Sequence, residues 1–206
     1  MNIVITGPQG CGKGTQASLI SNEKGIKHVS MGDVLRDVVK NKGENHELIR
    51  DAMKKGDLIP DEINNKAVKK VLDENPGGVI LDGYPRNTNQ ADYLIKNTKI
   101  DLVLVLDISD EEAIERIGKR RICTATNKIY IADKITQKDI DECEKAGGEI
   151  ITREDDQPES VKKRLDIYHK KTTPVLDIFR EKGINVQVIP AEGSIDEVFE
   201  KIKKLL

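Results

Sequence analysis

Gly7-Pro8-Gln9-Gly10-Cys11-Gly12-Lys13-Gly14-Thr15 follows the apolar run Asn2–Thr6 and leads into an amphipathic stretch that opens at Lys13. A strand feeding a glycine loop that opens a helix is suited to cradle phosphate. Glycines let the backbone curl so that N–H groups face phosphate oxygens. The helix N-terminus adds partial positive charge, and the lysine reaches the outer phosphates. Gly7, Gly12 and Lys13 meet the G-x-x-x-x-G-K pattern, but the usual hydroxyl after the lysine is displaced to Thr15, with Gly14 between. The candidate loop residues are Gly10, Cys11, Gly12, Lys13, Gly14 and Thr15. Cys11 reads as a space-filler rather than a nucleophile, because no histidine lies beside it in sequence.

Outward from the loop, short apolar runs alternate with helical patterns. Asn2–Thr6, Gly78–Leu81, Leu102–Asp107 and Asn185–Ile189 read as buried strands, with His28-Val29 as a further short one. Lys13–Lys24, Gly32–Val39, Asp61–Asp73, Thr88–Lys96, Asp110–Arg120, Glu159–Lys182 and Ser194–Leu206 read as helices. Asp61, Ser109 and Ser194 stand where N-caps are expected, the last with Glu197 at capping-box spacing. This alternation predicts an α/β protein: a central parallel sheet covered on both faces, a three-layer P-loop NTPase fold. Asp33–Pro60 has helical patterns with no strand between them, and Ile122–Asp156 is polar and weakly periodic. These read as two inserts, one helical and one a flap. The domain expectation is a core of 1–29, 60–121 and 157–206, a helical insert over 30–59 and a lid over 122–156.

Composition narrows the function classes. The chain has 206 residues, 37% hydrophobic and 34% charged, which suits a globular domain with a real core. Lys plus Arg is 34 against 36 Asp plus Glu, so no overall charge draws it to nucleic acid or anionic membrane. Aromatics at 3% leave few platforms for stacking on single strands. No apolar run approaches the roughly 20 residues of a membrane span. The N-terminus runs straight into a strand without a signal-peptide pattern. Nucleic acid and membrane are therefore not expected partners, and a cytoplasmic location is expected.

The Gly12-Lys13-Gly14-Thr15-Gln16 form resembles the nucleoside monophosphate kinases, and within them the adenylate kinase family. Further segments extend that resemblance along the chain: Ser30–Arg36, Leu81–Arg86 with Gln90-Ala91-Asp92, Arg116–Arg121, Arg153–Asp156 and Arg164-Leu165. It implies the long form with a full lid, an acceptor (NMP-binding) insert, and the reaction ATP + AMP = 2 ADP. The donor side would use the loop residues with Arg116 and Arg120. The acceptor side would use Met31, Arg36, Ile59, Gly83, Arg86, Gln90, Arg153 and Arg164, with AMP or ADP as the small-molecule ligands. The transferring phosphoryl would meet Lys13, Arg86, Arg120, Arg153 and Arg164. Physical reasoning agrees with that set. Phosphoryl transfer needs positioning and charge neutralisation more than covalent chemistry, and arginine forks grip phosphate through two hydrogen bonds. Asp82, at the end of a strand beside the loop, suits Mg²⁺ held through its waters. The competing reading of Asp82 is a helix cap or structural ion pair. Arg120→Ala is expected to lower turnover by orders of magnitude with only a modest loss of stability. Monomer is the family default, and a small homo-oligomer stays open.

Two departures, at Met31 and in the lid, qualify the resemblance. Met31 stands where adenylate kinases usually carry Thr, which removes a hydroxyl from the acceptor pocket and keeps UMP/CMP kinases as the nearest rivals. Gln90, with a donor and an acceptor, supports adenine against them. In the lid, Cys123 and Cys143 occupy two of four positions that bind zinc in some relatives. Thr126 and Ala146 stand at the others, so no structural zinc is expected. A Cys123–Cys143 disulfide is not expected either, because a reducing cytosol opposes it. A GTPase reading lacks an N-K-x-D motif, and a nucleotide-switch module leaves Arg36, Arg86 and Gln90 unexplained.

Overall fold

A computed structural model describes residues 1–206. Five strands form a parallel sheet: β1 (Ile3–Thr6), β2 (Lys27–Ser30), β3 (Val79–Asp82), β4 (Leu102–Asp107) and β8 (Val186–Pro190), in the order β2-β3-β1-β4-β8. β1 lies between β3 and β4, with Ile3 opposite both Ile80 and Leu102. Side chains alternate across a strand. Ile3, Ile5, Leu102, Leu104 and Leu106 accordingly enter one apolar cluster, and Val4, Leu81, Val103 and Val105 another. Both faces being apolar is the reason these strands read as unbroken hydrophobic runs. Helices α1 (Lys13–Lys24), α6 (Asp110–Gly118) and α10 (Ile195–Lys203) supply Ala17, Ile20, Ala113, Ile117, Val198 and Ile202 to the first cluster. Helices α4 (Asp61–Glu74), α5 (Thr88–Asn97) and α9 (Thr173–Glu181) supply Val68, Val71, Ala91, Leu94 and Phe179 to the second. The three-layer expectation is met, and every carboxyl strand end opens towards the glycine loop side, where ligands bind in such sheets.

The helical stretch over 30–59 is α2 (Met31–Lys40) and α3 (His46–Lys55). They share a small core of Leu35, Ile49 and Ile59. The flap is a separate antiparallel sheet, β6-β5-β7, made of β5 (Arg120–Cys123), β6 (Ile129–Ile131) and β7 (Ile150–Ile151), with α7 (Gln137–Lys145) between β6 and β7.

Four expectations are corrected. Pro60, not Asp61, stands at the N-cap of α4, because the Asp61 carboxylate accepts from Asn87 and Gln90 instead. The helix from Asp110 stops at Gly118, so Arg120 lies on a flap strand. The long helix over 159–182 is two, α8 (Pro158–Ile167) and α9, joined by a wide turn at Tyr168–Thr172. Pro174 in the first turn of α9 has no N–H to continue the ladder. Fourth, Cys123 and Cys143 are joined in a disulfide, their Cα atoms 5.8 Å apart. Both are buried with Tyr130 in a cluster of three. β5 and α7 bring the two side chains together, which spacing in sequence does not reveal.

So small a core leaves the flap dependent on its crosslink. Its cysteines are 20 positions apart. By chain entropy, removing such a loop closure costs about 3 kcal/mol. Cys143→Ser is expected to raise hydrogen-exchange rates of flap amides while those of β1 and β4 keep their protection. Unchanged exchange in the flap would show that packing alone holds it.

Candidate active site

The loop after β1 is folded against its neighbours. Gly7 has φ 143°, and a Cβ there would stand 2.3 Å from the Leu106 carbonyl oxygen. Only glycine lets the loop pass that close to β4. Lys13 Nζ donates to the carbonyls of Gly7 at 2.8 Å and Pro8 at 2.7 Å, which holds the cation over the loop. Cys11 is buried, and burial pushes its thiol up.

A cavity of about 840 Å³ runs from this loop to the helical insert, at the upper end of small-molecule sites. Gly10, Gly12, Lys13, Gly14, Thr15, Arg116, Arg120 and Asp82 line it, as do Met31, Arg36, Ile59, Gly83, Arg86, Arg153 and Arg164. Of the candidate residues only Cys11 and Gln90 stand outside that lining. Gln90 is 1% exposed, with its amide bonded to Arg86 N and to Asp61. Met31, in the Thr position, is also 1% exposed and packs into the sheet core.

The arginines are held by carboxylates that sequence reading did not single out. Arg36 donates to Asp33 Oδ1 at 2.6 Å, and Arg153 approaches the same oxygen at 4.0 Å. Arg164 donates to Asp155 Oδ2 at 2.9 Å. Arg120 pairs with Asp156, whose side chain is fully buried. Arg86 bonds to the Gly83 carbonyl at 2.8 Å, and its own carbonyl accepts from Thr172 Oγ1. The wide turn that ends α8 thus delivers Thr172 to the site. The Tyr84–Pro85 peptide is cis.

So many cations in one cavity disfavour their own charge. Burial, with Arg36 and Arg120 nearby, brings Arg153 down to about 10. Burial, with Asp155 opposing it and Arg86 adding to it, brings Arg164 to about 10. Burial works to raise Asp155, but the surrounding Arg164, Arg36, Arg153 and Arg120 hold it below the usual carboxylate range. The result is a pocket built to take concentrated negative charge.

Asp82 lines the same cavity, with Oδ2 3.4 Å from His28 Nε2 and no lysine or arginine in an ion pair with it. Gly14 lies beside that oxygen, a Cβ there falling 3.5 Å from it, at ordinary contact distance. A carboxylate left to face the phosphate loop fits a hydrated divalent cation. On the lid side, Ile129 and Ile131 are 47% and 45% exposed and line the cavity. Ile195, at the start of α10, does the same. These isoleucines were missed by motif reading. The alternation Ile129-Tyr130-Ile131, with Tyr130 buried, is the signal that places them outward.

Comparison with known proteins gives one answer. The family model described as Adenylate kinase matches residues 5–184. The adenylate kinase of Caldanaerobacter subterraneus subsp. tengcongensis is 41% identical over all of this chain and 96% of its own length. That of Methanosarcina barkeri is 41% identical over all of this chain and 98% of its own. That of Thermotoga neapolitana is 37% identical over 99% of this chain and 96% of its own. With a family model matched over residues 5–184 and relatives at 37% to 41% identity over 99% or more of its length, the chain belongs to the adenylate kinase family.

Proposed function

We propose that the protein transfers a phosphoryl group reversibly from ATP to AMP, giving two ADP. The observation that carries this reading is the convergence of Lys13, Arg36, Arg86, Arg120, Arg153 and Arg164 on one cavity. A hydrolase needs a positioned water; a transferase needs a second phosphate site, and Arg36 with Arg86 supplies one. The acceptor is already an oxyanion, so no general base is required.

In this reading residues 30–59 cover the acceptor and residues 122–156 cover the donor, moving on hinges near 30, 60, 121 and 157. Closure excludes water, which would otherwise take the phosphoryl group. It also brings Arg120 and Arg153 onto the transferring group, and lid opening can then limit turnover. The donor base meets the apolar wall of Ile129, Ile131 and Ile195, together with Arg116, which Glu112 holds at 2.6 Å. Mg²⁺, held through its waters at Asp82, would neutralise charge on the donor's phosphate oxygens. No helix is long and apolar enough to cross a membrane, and a cytoplasmic monomer acting on free nucleotides accords with this reading.

The test is a coupled assay with Mg-ATP against AMP, UMP, CMP and GMP in turn. ADP formation with AMP well above the rest is the expected result. A preference for UMP or CMP would reassign the acceptor and make Met31 the first residue to change. No transfer to any monophosphate would overturn the reading.

A further inference from the structure

We propose that Gln9 is a positioning residue for the transfer step: by joining the phosphate loop to α8 it sets the spacing between Lys13 and Arg164. The inference rests on the roles proposed above for those two cations.

Gln9 stands inside the loop, where the G-x-x-x-x-G-K pattern asks for no particular side chain. It lines the cavity. Its Nε2 donates to the Val161 carbonyl at 2.6 Å, across 152 positions of sequence. No other hydrogen bond joins residues 7–15 to α8. The partner fixes which end of the amide is nitrogen, because turning it over would set oxygen against a carbonyl oxygen. In this orientation Oε1 is buried with no hydrogen-bond partner. Burying an acceptor unpaired is unfavourable, and such a group in a folded protein calls for an explanation. An apolar side chain of similar volume would avoid it, so packing alone does not account for a glutamine here.

The bond connects the supports of two cations. On the loop side, Lys13 Nζ is held by the carbonyls of Gly7 and Pro8, the two residues before Gln9. On the helix side, Arg164 follows Val161 by three positions, which makes them neighbours on one face of α8. Val161 and Leu165 are buried in the same apolar cluster as Cys11, so this turn of the helix is fixed where Gln9 meets it. Asp155 holds Arg164 from its own segment and does not tie it to the loop. Lys13 and Arg164 would therefore meet the transferring phosphoryl group from two elements joined by one side-chain hydrogen bond. A misplacement of about 1 Å between reacting groups can lower a rate about 100-fold. The other contacts to each nucleotide stay in place, so the loss from freeing the loop falls on kcat and not on KM.

The test is a double-mutant cycle on the full chain, with Mg-ATP and AMP varied in turn. Gln9→Met keeps the volume and removes the N–H. It is expected to lower kcat roughly tenfold, with both KM values within about twofold of native. Gln9→Ala, which vacates the space, should show the same split and serves if Met does not fold. In an Arg164→Ala background the Gln9 substitution should lower kcat by less than about twofold, because no guanidinium remains to be placed. An equal tenfold loss in both backgrounds would show that Gln9 acts without Arg164, and would overturn the proposal. So would native kcat in Gln9→Met, which would make the bond structural only, or a rise in KM for ATP alone, which would make Gln9 a donor contact. A native enzyme that transfers nothing to AMP would instead remove the reading beneath the proposal.

Discussion

Arg120→Ala is expected to lower kcat by roughly 10³-fold, the scale of an arginine that neutralises a transferring phosphoryl group. It is also expected to destabilise the protein by about 3 kcal/mol, contrary to the modest loss expected from sequence alone. The reason is Asp156. Its side chain is fully buried and its carboxylate is paired with Arg120 across 36 positions of sequence. Deleting the cation leaves a buried charge with no partner, which costs far more than deleting an exposed arginine. The second substitution Asp156→Asn removes that charge. The double variant should regain most of the stability in urea denaturation and none of the turnover. Normal turnover in Arg120→Ala would remove the residue from the catalytic set. Unchanged stability would show that water reaches Asp156.

Arg153→Met is expected to move stability the other way. Burial and the neighbouring Arg36 and Arg120 bring this guanidinium down to about 10. Its Nε is buried with no hydrogen-bond partner. A cation whose folded pKa is depressed destabilises the fold at every pH below that value. The nearest carboxylate, Asp33, keeps Arg36 when Arg153 is gone. The variant should therefore be more stable by about 2 kcal/mol in chemical denaturation, while kcat falls by orders of magnitude. A drop in stability would mean that Asp33 and Asp155 already compensate the charge. Arg120 and Arg153 line one cavity yet are expected to carry opposite signs in stability. The difference lies in whether a buried carboxylate depends on the cation. The sites that bind concentrated charge are commonly held at such a cost to the fold.

Much of this protein was legible without coordinates. The strand–loop–helix at Gly7–Thr15 and the apolar runs that became β1, β3 and β4 all followed from local chemistry. Glycine permits a loop that others forbid, and strands buried on both faces must be apolar throughout. The resemblance nominated the arginines, and the fold brings them to one cavity. What the sequence withheld was pairing. Nothing local to Cys123 and Cys143 tells that β5 and α7 bring them together. Nothing local to Asp61 tells that it leaves the helix cap to hold Gln90. Asp33, Asp155 and Asp156 fall inside the motif segments, but only the fold sets each beside its arginine. Residue type and spacing determine which chemistry is available, because they act over a few bonds. Which donor meets which acceptor is decided by contacts between distant segments, and these exist only once the chain has folded.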